Sequence, residues 1–119
     1  MKKLISCAVA ACSLIAMSVP ALATGSLAVN KHNPIHFGIA YDRDGERRAD
    51  EAAVDLCHGD CEVVAHFEHT CAALASEEGH DGGWGWGRSE NLDQAKHIAI
   101  EECRKHAEHC EVRTWGCDK

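Results

Sequence analysis

The chain has 119 residues, with 12 Lys and Arg against 19 Asp and Glu, a net charge of −7 at neutral pH. That length holds one domain. An acidic surface repels phosphate backbones and anionic headgroups, which argues against nucleic acid and membrane surfaces and, beyond simple solubility, favours a basic protein partner.

Residues 1–23 read as a secretory signal. Lys2 and Lys3 form a basic start, Leu4 to Val19 an apolar stretch ended by Pro20, and Ala21-Leu22-Ala23 a small-x-small cleavage pattern. The apolar stretch is shorter than the roughly 20 residues that span a bilayer. Cleavage after Ala23 is expected, leaving residues 24–119 as a secreted or periplasmic domain. Cys7 and Cys12 sit in loose lipoprotein-like boxes, but cleavage at either leaves most of the apolar stretch on the product. Without Lys2 and Lys3 the mature chain keeps 10 basic and 19 acidic residues, a net charge of −9.

Leu27-Ala28-Val29 is a short strand before the turn at Asn33-Pro34. Ile35 to Tyr41 forms a second strand with Phe37, Ile39 and Tyr41 on one face. Asp42-Arg43-Asp44-Gly45 has turn chemistry and offers acidic caps to the next element, a helix. There Ala49, Ala52, Ala53, Leu56 and Cys57 share one apolar stripe. Gly59 suits the left-handed conformation that closes a helix. Glu62 to Phe67, rich in valine, is a strand.

The same order then repeats. Cys71 to Ala75 is an apolar strand, Ser76 to Gly82 an acidic loop, and Gly83 to Gly87 a strand containing Trp84 and Trp86. Ser89 is the expected N-cap of a helix with Glu90 and Asp93 near its positive end. Leu92, Ala95, Ala99 and Cys103 make that helix's apolar side, which extends to His106. Glu111 to Trp115 is the last strand. Cys57, Cys61 and Cys71 reappear as Cys103, Cys110 and Cys117, Ala49 and Ala53 as Ala95 and Ala99, and Cys-Glu-Val recurs at 61–63 and 110–112. The expectation is an α+β domain of two pseudo-symmetric strand–strand–helix–strand halves, about 26–68 and 70–117. An antiparallel sheet would carry both helices, and disulfides would staple a core that is small at this length.

Ala49-x3-Ala53-x3-Cys57, Cys61-Glu62-Val63-Val64 and Cys71-Ala72-Ala73-Leu74-Ala75 carry a likeness, extended by Ala95-x3-Ala99-x3-Cys103 and Cys110-Glu111-Val112-x-x-Trp115-x-Cys117-Asp118-Lys119. In these residues the chain resembles the bacterial domain-of-unknown-function 4189 family. The resemblance implies an exported domain with no established catalytic residues. Some relatives look like immunity proteins that neutralise toxins passed between competing bacteria, a role with no residue motif to carry over.

Six cysteines in an oxidising compartment read as three disulfides, for which 15 pairings exist. The duplication favours Cys57–Cys61 and Cys103–Cys110, each tying a helix end to the next strand. It leaves Cys71–Cys117 to join equivalent positions of the two halves across their symmetry axis. The competing reading is a thiolate–imidazole site for zinc or copper, in which His58, His69, His106 and His109 join the neighbouring cysteines. Neither the short C-x2-C knuckle of zinc sites nor a C-x-x-C redox pair is present. With every cysteine oxidised, His66, His69, His106 and His109 remain candidates for an imidazole-only metal site.

Gly83-Trp84-Gly85-Trp86-Gly87 places both indoles on one face and glycine on the other. A constant displacement of 46 puts Gly38 and Ala40 in their places in the first half. The indoles either fill the core or form a recognition patch with the loop Glu77-Glu78-Gly79-His80-Asp81. No G-x-S-x-G, P-loop or H-E-x-x-H occurs, and Ser26, Ser76 and Ser89, the serines of the mature chain, stand in no catalytic motif. The expected function is that of a non-catalytic exported protein that binds another protein, an immunity-type role included, without a cofactor. The alternative is a histidine-mediated metal or small-ligand binder of the cell envelope.

Overall fold

Residues 23–79 and 82–119 are described by a computed structural model. The expected signal, apart from Ala23, lies outside the described residues. β1 (Ala23–Asn30) is the centre of an antiparallel sheet flanked by β2 (Phe37–Asp44) and β3 (Cys61–Phe67). β4 (Cys71–Ser76) is the centre of a second sheet, flanked by β5 (Trp84–Ser89) and β6 (Glu111–Cys117). α1 (Glu46–Leu56) and α2 (Leu92–Arg104) each follow the second strand of their half. The α+β class and the two matched halves are therefore observed, with the antiparallel strands divided into one sheet per half.

Alternation along the two central strands builds four layers, because successive side chains leave a strand on opposite faces. Leu27 and Val29 of β1 meet Leu74 of β4 in a buried cluster joined by Phe37, Ile39, Val64, Trp84 and Trp86, so the sheets face each other. On the opposite faces, Ala28 and Ala40 pack on Ala53 and Cys57 next to α1. Ala73 and Ala75 likewise pack on Ala95, Ala99 and Cys103 of α2. Alanine on both sides lets the helices sit close, and glycine closes the remaining gap. A Cβ on Gly38 would strike the Ala53 carbonyl, and one on Gly85 or Gly87 would strike the α2 backbone.

This packing corrects the alignment of the two tryptophans. Leu27 pairs with Ile39 as Leu74 pairs with Trp86, and Val29 with Phe37 as Ser76 with Trp84. The indoles thus correspond to Phe37 and Ile39, while Gly38 and Ala40 match Gly85 and Gly87 beneath the helices. In these strands the displacement is one residue longer than in the helices, which a constant shift misses.

Local details also differ from expectation. Leu56, at the last turn of α1, is 55% exposed and drops out of the stripe, while Ala49, Ala53 and Cys57 are buried. Gly45 begins α1 without any side-chain cap, and the preceding acids do not serve as one. Asn91, not Ser89, caps α2: its side chain accepts from the Gln94 amide at 3.1 Å, and the Ser89 hydroxyl accepts from the Asn91 amide. α2 ends at Arg104, where the amides of His106 and Ala107 both turn back to the Cys103 carbonyl.

The disulfides are Cys57–Cys61, Cys103–Cys110 and Cys71–Cys117. The first two tie a helix end to the following strand. Cys71–Cys117, however, does not join the halves: the two residues face each other across β4 and β6 of the same sheet. Cys71 opens and Cys117 closes the second half, so their separation of 46 measures the length of that half and not the repeat. At the same end of the first sheet, Gly25 lies opposite Phe67, whose buried ring covers it.

Besides the sheet interface, two carboxylates fasten the halves together, that of Asp42 accepting from the Lys119 amide at 2.8 Å. Asp118, only 3% exposed, accepts from the Asp42 amide at 2.7 Å and the His69 amide at 3.3 Å, while its own amide donates to the Thr70 carbonyl. Asp42 and His69 have φ values of 56° and 53°, a left-handed conformation uncommon outside glycine. The shared carboxylate satisfies both amides turned inward by that geometry.

Candidate functional site

An open groove of about 830 Å³ runs along β5. Three elements form it. β5 stands at the end of its sheet and contributes Trp84, Trp86 and Arg88, with glycine backbone between them. α2 supplies Ile98 and Glu102, and His106 follows just beyond its end. The β1–β2 turn brings in Lys31. Because Gly85 and Gly87 admit α2 so closely, helix and strand make one continuous wall.

Both indoles are half-buried: they pack into the core between the sheets and also line the groove. Each ring therefore has one side in the core and another on the groove. Arg88 lies 5.9 Å from the centre of the Trp86 ring, within range of a cation–π attraction. Its guanidinium also donates to the His66 carbonyl at 2.6 Å, linking β5 to β3. The Lys31 ammonium pairs with Glu62 at 2.7 Å, and Lys105 pairs with Glu102 at 2.9 Å. The hydrogen bond from Lys105 to Glu102, aided by that carboxylate's charge, raises the Lys105 pKa above its ordinary value.

The acidic loop lies at one end of the groove. The Glu77 carboxylate accepts from the His109 amide, and the Glu77 amide donates to the Gly83 carbonyl. Glu78 is exposed. His80 and Asp81 lie outside the described residues. Of the residues expected to recognise a partner, Trp84 and Trp86 enter the groove, while Glu77 is turned toward the segment before β6.

The metal candidates are dispersed. The His66 ring approaches Asp50 through Nε2 at 2.8 Å and Glu46 through Nδ1 at 3.6 Å. Since the two ring nitrogens point apart, these carboxylates cannot converge with the imidazole on one ion. His69 lies in the β3–β4 turn, and His106 and His109 follow α2. The six bridged cysteines leave no thiolate for the mixed site. Among the described residues, no three His, Cys, Asp or Glu side chains form a metal-holding group.

One constellation was invisible to motif reading. Ser26 of β1, Asp50 of α1 and His66 of β3 meet, with the Ser26 hydroxyl donating to Asp50 Oδ1 at 2.5 Å. Serine and histidine bind the same carboxylate oxygen, and Ser26 is fully buried. A serine nucleophile needs a base at its hydroxyl and access for substrate, so this cluster acts as a tie between α1 and its sheet.

Lys31, Arg88, Ile98 and Glu102 were also missed as groove residues. No motif marks them; their common position follows from β5 lying at a sheet edge. The Gly-Trp alternation was the visible signal.

The family model described as Domain of unknown function (DUF4189) matches residues 24–117. No curated protein and no solved structure matches the chain.

Proposed function

The chain belongs to the DUF4189 family, and from that premise we propose that it is an exported, non-catalytic protein that binds another protein through the β5 groove. The observation carrying this reading is the pair of half-exposed indoles flanked by Lys31 and Arg88. Tryptophan and arginine are enriched among residues that anchor interfaces, because each combines a large contact area with a directed polar group. Export is supported by the signal-like N-terminus and by three disulfides, which suit an oxidising compartment. Among the described residues, no helix is long and apolar enough to cross a membrane.

Within this reading the role is an immunity-type one: occupation of a toxin that reaches the same compartment. The net charge of −9 would speed encounter with a basic effector before the groove engages it. The test pairs the mature protein with an exported effector encoded beside it. Co-expression should protect sensitive cells, and Arg88→Glu should abolish both protection and calorimetric binding. Protection undiminished in that variant would remove the groove from the function; an absence of any protection would end the immunity role.

A further inference from the structure

We propose that the groove receives an extended peptide segment, which adds to the free edge of β5 as a further strand and carries alternating acidic and apolar side chains on its indole-facing side. This rests on the groove being the partner surface and specifies what enters it.

The main argument is the state of the strand edges. β2, β3, β5 and β6 are the four edge strands of the two sheets. The pairings of β2, β3 and β6 with their central strands each contain a register shift. Bulges of this kind twist an edge and blunt it against further pairing. β5 instead runs in unbroken register with β4, from Cys71 opposite Ser89 to Ser76 opposite Trp84. Among the described residues it is the one regular edge, and the groove lies along it. Gly83, Gly85 and Gly87 line the groove, so much of its floor is main chain. An edge backbone reached through such a floor can bind another backbone, which supplies affinity while alternate side chains supply specificity.

The walls identify the segment. Side chains of an added strand would point alternately toward α2, where Ile98, Glu102 and His106 stand, and toward Trp84 and Trp86. Lys31 and Arg88 flank the indole side, which favours a carboxylate two residues from an apolar group. A second copy of this chain is disfavoured as the occupant, since each carries a net charge of −9.

The probe is a phage-displayed library of random linear peptides about eight residues long, roughly one strand, selected on the oxidised mature protein. The expected winners carry acidic and apolar residues at alternate positions. A synthetic winner should slow amide exchange at residues 84–89, and N-methylation of its alternate amides should weaken binding about tenfold or more. Arg88→Glu and Lys31→Glu, both at exposed positions, should weaken the acidic peptide by a similar factor and select basic peptides instead. Winners that leave β5 exchange unchanged, indifference to N-methylation, or no winners at all would overturn strand addition. So would sedimentation showing a dimer of the protein alone that Arg88→Glu dissociates, because a second copy would then occupy the edge. If strand addition fails while Arg88→Glu still loses the native partner, the groove stands as the binding surface; if that variant keeps the partner, the groove itself is not the surface.

Discussion

The first half and the second half share the contact between helix and sheet but differ at the sheet's far end and along its edge. Ala28, Ala40 and Ala53 in one half, and Ala73, Ala75, Ala95 and Ala99 in the other, keep each helix against its strands. At the far end, the first half covers Gly25 with Phe67 on the face toward the other sheet, while the second closes with the Cys71–Cys117 bridge on the face toward α2. Along the edge, Phe37 and Ile39 are replaced by Trp84 and Trp86, and the interrupted pairing of β2 by the regular pairing of β5. Helix contacts tolerate almost no added volume, so they keep small residues in both halves. The edge has solvent on one side, and it is there that the two halves differ most in side-chain size.

Five variants test how far the halves are equivalent. Phe67→Ala should have the largest effect, a loss of about 3–5 kcal/mol in reversible denaturant unfolding, because it opens a cavity under a fully covered ring. Replacing Cys71 and Cys117 together by serine should cost about 2–4 kcal/mol in the same measurement. A loss far exceeding that of Phe67→Ala would show that the bridge holds its half together more firmly than the ring holds the first. Gly38→Ala and Gly85→Ala should each cost about 1–3 kcal/mol, since the new methyl meets helix backbone in both halves. Near-neutral behaviour in one half alone would show that its helix can move away. Asn91→Ala should cost about 1 kcal/mol through loss of the α2 cap, a contribution α1 lacks because Gly45 has no capping side chain.

Much of the architecture was legible because local rules and tertiary packing agree. The alanine stripes marked the helix faces, and Gly59 takes the left-handed φ of 86° that its position implied, although α1 has already ended at Leu56 with Cys57 extended. The repeat also indicated the pairs of cysteines that the structure joins. It misplaced Cys71–Cys117 because a displacement common to two cysteines can arise from the length of a half. The groove was half legible: the indole pair stood out, but Lys31 and Ile98 join it only through sheet order, which no local pattern encodes. Asp118 was read only as part of a terminal motif. Its role requires two distant amides with left-handed geometry, and those become neighbours only after the sheets stack.

Among the described residues, no sulfur bridge crosses from one half to the other. The covalent passage between them is residues 68–70 alone. A single proteolytic nick there would yield two fragments, each with its own cystines intact, held together by Leu27, Val29, Leu74 and the grip of Asp118 on Asp42. Oxidation thus adds no covalent link between the halves, and such fragments are expected to complement one another from separate molecules without any thiol chemistry.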